Sequence, residues 1–213
     1  MITDIWFVAV HLFLKTFFSI FCGLKVYGHK NLKIKGGFIM AGNHTSYYDP
    51  PLFGAISYRA VRCMAKKELF KIPILGTFLH SVGTFPVDRE SNDIWAVKHA
   101  IKILKEGKVF GIFPEGRRVK EGETAELSTG VALIAKQTGL PVVPIATIGA
   151  DKAILFKKKI PSFGKVKVVI GEPIFYEKAD PSLKEKENMM IFTEKLMDIV
   201  RTMAKDGNPY KCR

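Results

Sequence analysis

His44 and Asp49, in the stretch Asn43-His44-Thr45-Ser46-Tyr47-Tyr48-Asp49-Pro50-Pro51, are the two side chains of this sequence best suited to moving a proton together. Five positions apart on a continuous helix, they would point about 140° away from each other, so they do not form a helix-face pair. If the residues between them form a turn and Asp49 caps a helix that begins at Pro50, the carboxylate folds back onto the imidazole Nδ1–H and leaves Nε2 free. A neutral hydroxyl is a poor nucleophile. An imidazole held in one tautomer is a usual means of activating it, contributing typically ~10²–10⁴ in rate. His44 is therefore the candidate general base and Asp49 its partner, although spacing alone also allows Asp49 to act only as a cap and His44 only to satisfy a loop. A serine or cysteine nucleophile is disfavoured: no G-x-S-x-G turn exists, and Cys63 lies inside an apolar run.

Two further loops carry arginines. Gly83-Thr84-Phe85-Pro86-Val87-Asp88-Arg89 delivers a guanidinium at the end of an apolar run, and Phe113-Pro114-Glu115-Gly116-Arg117-Arg118 turns at Pro and Gly before delivering two more. The guanidinium fork matches a phosphate. Arg89 and Arg118 converging on His44 would hold an anionic substrate beside the base; each also reads alone as a solvated arginine at a turn.

These loops need strands to hold them. Short apolar runs bounded by Gly or polar residues recur at Lys25–Gly28, Phe38–Ala41, Ala60–Ala65, Thr84–Val87, Lys108–Phe113, Pro141–Ile148 and Lys165–Gly171. Helices are expected at Asp93–Glu106, Ser128–Thr138 and Ser182–Ala204, the first two stopped by Gly107 and Gly139 and the last entered through Asp180-Pro181. The pattern predicts an α/β layered domain, and 213 residues suit a single one. Three well-separated cysteines, Cys22, Cys63 and Cys212, show no metal-ligand spacing and point to a reducing compartment. Lys and Arg outnumber Asp and Glu by 33 to 20, a formal charge of +13, which suits nucleic acid, an anionic membrane surface or acidic soluble partners.

The N-terminus helps to choose among these. Ile5–Cys22, IWFVAVHLFLKTFFSIFC, is almost wholly apolar, and Asp4, His11, Lys15 and Ser19 fall on one stripe of a helix. Without a basic start or a small-residue cleavage site it does not read as a cleaved signal, and His11 and Lys15 in its middle favour lying in one leaflet over spanning, with a buried core helix as the alternative. A division into residues 1–24, a membrane-associating helix, and 25–213, the folded domain, is expected. Lys157-Lys158-Lys159 with Ile160-Pro161-Ser162-Phe163 reads as a loop that touches anionic lipid, or as a solvated connection. No zinc-finger spacing or RNP-type aromatic strand supports nucleic acid.

NHTSYYDPP, GTFPVDR, FPEGRR and PVVPI, in this order and spacing, resemble the four blocks of the glycerophospholipid acyltransferase family, across about residues 22–175 and including AKKELF, Gly130 and GEP at Gly171–Pro173. The resemblance implies an α/β domain with a mixed, largely parallel sheet flanked by helices, His44 as base and Asp49 as its partner. It also implies acceptor-phosphate binding by Arg89, Glu115, Gly116 and Arg118, with Lys66 as an extra contact, and positioning and acyl-pocket roles for Val143, Pro144 and Ile145. The implied reaction moves a fatty acyl group from an acyl carrier protein or coenzyme A thioester to the hydroxyl of a lysophosphatidate, without metal or bound cofactor, at the cytoplasmic face of a membrane. Asn43 is counted among the substrate-binding residues, its side-chain N–H or else a backbone N–H being expected to face the developing oxyanion. The family's Glu-Gly-Thr-Arg-Ser reads Glu-Gly-Arg-Arg-Val here, so Arg117 and Val119 exchange a hydroxyl for a charge and leave the acceptor open: glycerol 3-phosphate, another lysophospholipid or an amine-headed lipid are alternatives. A non-enzymatic basic binding protein is the distant alternative.

Overall fold

Phe38–Gly42 and Val109–Ile112 are buried along their whole length, as strands covered on both faces must be. They lie at the centre of a seven-stranded sheet in a computed structural model that describes residues 2–88, 93–120, 123, 125–157 and 160–207, with backbone alone for 2–4, 154–157 and 160–162. Its strands are β1 (Lys25–Tyr27), β2 (Phe38–Gly42), β3 (Val61–Lys66), β4 (Phe85–Val87), β5 (Val109–Ile112), β6 (Val142–Ile148) and β9 (Lys167–Ile170), in the order β1-β9-β6-β2-β5-β3-β4. Neighbours from β6 to β4 run parallel. β9 is antiparallel to β6, and β1 is parallel to β9, so the sheet is mixed and largely parallel. The strands β7 (Ile154–Lys157) and β8 (Ile160–Phe163) pair separately as a hairpin.

Strand alternation divides the core into two layers. On one face Met40, Val143 and Ile145 meet Leu52, Phe53 and Ile56 of helix α2 (Asp49–Ile56), together with Phe18 and Cys22 of helix α1 (Ile2–Cys22). On the other, Ile39, Ala41 and Phe110 meet helices α4 (Ile94–Lys105), α5 (Gly130–Thr138) and α6 (Glu185–Asp206) through Ala100, Leu104, Val131, Ile134 and Leu196. A short helix, α3 (Pro73–Ser81), crosses between β3 and β4.

Three local expectations change. The last helix starts at Glu185, because Asp180 Oδ1 accepts from the N–H and hydroxyl of Ser182 and forms a turn of its own, while Glu187 reaches back to the Lys184 N–H at 2.9 Å. The fifth starts at Gly130 rather than Ser128, whose Oγ instead accepts the Gly130 N–H. The segment read as a loop around Lys157 is the β7–β8 hairpin, with residues 158–159 outside the described ones. In α1, His11 of the polar stripe donates through Nδ1 to the Gly54 carbonyl of α2 at 3.0 Å. Phe18 and Cys22 are buried, whereas Ile5, Val8, Leu12, Phe13 and Ile20 stand exposed. The window Ile5–Cys22, with mean hydropathy 1.9, is long and apolar enough to cross a membrane by length and composition.

Candidate active site

β2 ends at Gly42 and the chain turns through residues 43–48 before α2 begins, so His44 sits at the carboxyl edge of the parallel strands, where open α/β sheets place their functional groups. Asp49 is the first residue of α2 rather than its cap, and Pro50 and Pro51 follow it into the first turn. Its carboxylate points backward: Oδ2 lies 3.0 Å from His44 Nδ1 and accepts the N–H groups of Thr45 at 2.8 Å and Ser46 at 2.7 Å. A carboxylate beside Nδ1 makes that nitrogen the donor and leaves Nε2 as the acceptor. Asp49 is 0% exposed and His44 7%.

The imidazole is fixed on its faces as well as at its edge. Phe113 stacks on it with ring centroids 4.3 Å apart, and Phe53 stacks on Phe113 at 4.9 Å. The backbone of His44 is gripped from both sides by the loop after β5: its N–H donates to Glu115 Oε2 at 2.6 Å, and its carbonyl accepts the Val119 N–H at 2.8 Å. Gly116 allows the turn between them, at φ 63°. Burial pushes the Glu115 carboxyl above its usual range, and the His44 N–H opposes that shift. Val119, where the family pattern carries serine, is buried at 7%.

Beside His44 opens a cavity of about 760 Å³ with an aliphatic wall that includes Met64, Val87, Val97, Ile112, Leu133 and Ile134, and a polar lining that includes Asp88, Asp93, Glu115, Glu126 and Arg117. Arg117 lines it, 3.7 Å from Glu123. Arg118 instead lies over the Tyr47 ring at 3.5 Å and donates to the Tyr47 hydroxyl at 2.8 Å. Lys66 ends β3 half-exposed near Glu68. Arg89 lies outside the described residues; Asp93 stands just after that stretch, bonding the Asp88 N–H and capping α4.

Two groups of expected site residues lie away from this cavity. Val143, Pro144 and Ile145 are buried within β6 and do not line the cavity, because a strand covered on both faces turns all its side chains into packed layers. Asn43 does not line it either: its carbonyl accepts the Thr147 N–H at 2.8 Å and its amide donates to the Thr147 carbonyl at 2.9 Å, which brackets β2 to β6. Thr147 itself escaped the sequence reading. Its hydroxyl donates to Asp49 Oδ1 at 2.8 Å, and only the β2–β6 register, Gly42 opposite Ile145, brings it there. Cys63 is inert as a nucleophile, because burial pushes its thiol up to about 12.

An imidazole oriented by a buried carboxylate, beside a cavity with an aliphatic wall, fits acyl transfer, and comparison with known proteins agrees. A model of the acyltransferase family matches residues 23–148. A 1-acyl-sn-glycerol-3-phosphate acyltransferase of Bacillus subtilis is 38% identical over 89% of this chain and 92% of its own length. A chloroplastic one from Brassica napus is 30% identical over 70% of this chain, which spans only 44% of that relative. The crystal structure of the 1-acyl-sn-glycerophosphate acyltransferase PlsC from Thermotoga maritima superposes with a TM-score of 0.72 at 27% identity, covering 97% of this chain and 81% of that one. The chain belongs to the acyltransferase family.

Proposed function

We propose that this protein acylates the free hydroxyl of 1-acylglycerol 3-phosphate, using the thioester of an acyl carrier protein or of coenzyme A, to give phosphatidate. The observation that carries the reading is the His44–Asp49 bond at the edge of a cavity with an aliphatic wall. His44 Nε2 takes the hydroxyl proton as the oxygen attacks the thioester carbonyl; the thiolate then leaves and is reprotonated from Nε2, so the imidazole is restored without an acyl-enzyme. The positive charge that forms on the ring is stabilised by Asp49. No cofactor beyond the thioester co-substrate enters this scheme.

The cavity's aliphatic wall of Val87, Val97, Leu133 and Ile134 takes the acyl chain. The acceptor phosphate is held by Arg118, by Arg89 and by Lys66, with Tyr47 fixing the plane of the Arg118 guanidinium. Glu115 acts through the backbone of His44, since a carboxylate repels a phosphate. Residues 1–24 associate with the cytoplasmic face of a membrane through the exposed side of α1, and residues 25–213 form the acyltransferase domain. One observation favours a second reading of the acceptor: Arg117, in place of a threonine, supplies a further cation at the cavity wall, which suits a different phosphate-bearing acceptor.

The test is acylation by purified protein in detergent, with lysophosphatidate, glycerol 3-phosphate and both kinds of thioester, products being identified by mass spectrometry. Phosphatidate is expected, and it vanishes in a folded His44→Ala variant; Arg118→Ala chiefly raises the acceptor KM. Full turnover by His44→Ala overturns the assignment of the base, and acylation of another acceptor alone overturns that of the substrate.

A further inference from the structure

Helix α3 buries almost nothing. Of its nine residues only Gly76 is buried, where the helix backbone rests on the Phe70 carbonyl; a Cβ at position 76 would come within 2.3 Å of that oxygen. Leu75 and Leu79 are half-buried, while Ile72 and Phe78 are exposed and Ile74 stands 88% in solvent. A helix on a water-facing surface turns polar side chains outward. Here the outward side chains include an isoleucine and a phenylalanine, and the hydroxyls of Thr77 and Ser81 bond back to their own helix, at Pro73 O (2.8 Å) and Phe78 O (2.7 Å). The two hydroxyls of α3 are thus satisfied without water, and its exposed His80 leans on the Phe70 ring with centroids 4.8 Å apart.

α3 is also joined to α1. The Trp6 indole N–H donates to Ser81 Oγ at 3.2 Å, so the exposed apolar face of α1, with Ile5, Val8, Leu12 and Phe13, continues onto α3. Just before α3 the exposed lysines Lys66, Lys67 and Lys71 form a cationic collar, with Lys67 bonded to Asp88 and Lys66 near Glu68. Apolar side chains flanked by cations are what an interfacial lipid contact needs. The charge of +13 attracts anionic lipid and opposes the approach of a second copy.

We propose that α3 enters the headgroup–acyl boundary of an anionic bilayer beside α1, giving the protein a second lipid contact more than fifty residues from its N-terminal helix. This rests on the membrane reading of α1 above. The three apolar side chains at positions 72, 74 and 78 insert, while the lysine collar stays at headgroup level.

The test uses the full chain and vesicles of phosphatidylcholine with phosphatidylglycerol. In an Ile74→Ser/Phe78→Ser variant, partitioning onto vesicles is expected to fall by about tenfold or more, reflecting the lost apolar insertion, while lysophosphatidate acylation in detergent stays within about twofold. An Ile74→Trp variant, which keeps the surface apolar, is expected to show blue-shifted emission and quenching by brominated lipid beyond that of the wild type. Wild-type partitioning by the Ser variant, or no added quenching at position 74, overturns the role of α3 alone. Absence of partitioning by the wild type overturns the membrane reading of α1 and α3 together. A lipid-free dimer that the Ser substitutions dissolve assigns the surface to a second copy and overturns the lipid contact.

Discussion

Asp49 has no spare oxygen. Oδ2 takes His44 and two backbone N–H groups, and Oδ1 takes the Thr147 hydroxyl. Thr147→Val keeps the volume but leaves one buried oxygen without its donor, a loss of about 1–3 kcal/mol and a freer carboxylate. Urea unfolding should show the destabilisation and steady-state kinetics a lower kcat at nearly unchanged KM, with Thr147→Ser restoring both; a silent valine variant would mean that Asp49 is oriented by its backbone donors alone. Glu115 works in the opposite sense. Burial raises its carboxyl, so the folded protein binds a proton more readily than the unfolded chain, and its charge opposes folding at neutral pH, with relief as pH falls through the raised value. Glu115→Gln removes that slope while keeping an acceptor for the His44 N–H. Unfolding free energies compared from pH 5 to 8 should show the variant gaining on the wild type as pH rises, and parallel curves would contradict this.

At the scale of elements, the close approach of β2 and β6 positions the site. A Cβ at Gly42 would lie 2.6 Å from the Ile145 carbonyl and 3.0 Å from the Phe53 ring. Gly42→Ala therefore pushes the end of β2 off β6, one residue before Asn43 and two before His44, at about 1–3 kcal/mol. Thermal unfolding should register the loss, and kcat should fall more than stability alone explains; an unchanged kcat would place the adjustment elsewhere. The same contact explains what could be read in the sequence. The runs that became β2, β5 and β6 were legible because fully buried strands are short and continuously apolar, and His44 with Asp49 was legible from its chemistry. Thr147 was not, because nothing local in PVVPIATI marks one residue as the neighbour of a carboxylate; strand register supplies that. Nor could spacing say whether Arg117 or Arg118 faces the cavity, since neighbours in a turn diverge according to a backbone that here passes through a positive φ at Gly116. Helix α3 was missed because nine residues with a central glycine carry little helical signal, and the β7–β8 hairpin because Pro161 and a lysine run argue against strand.

Across the whole molecule, Glu185 ties the second helical layer together. Its carboxylate meets Lys136 of α5 at 2.7 Å and Lys178 at 3.3 Å, and accepts from the Tyr176 hydroxyl at 3.1 Å; the hydrogen bond from Lys136 first, then those from Tyr176 and Lys178, bring it down to about 2. A carboxyl depressed on folding contributes stability that is complete above its unfolded value and is lost as pH falls towards 2. Glu185→Gln should move the acid-unfolding midpoint, followed by circular dichroism, to higher pH, and an unmoved midpoint would show that solvent screens the cluster. The pairing of β1 with β9, in which Lys25 lies opposite Lys167, bears on how the chain is made. β1 follows α1 directly, yet its strand partner β9 is synthesised after every other described strand, and closing so long a loop is slow. During synthesis α1 therefore emerges with its apolar surface uncovered and its anchoring strand unpaired. On the membrane reading proposed above, a bilayer close to the ribosome can compete for α1 throughout the interval between the synthesis of β1 and that of β9.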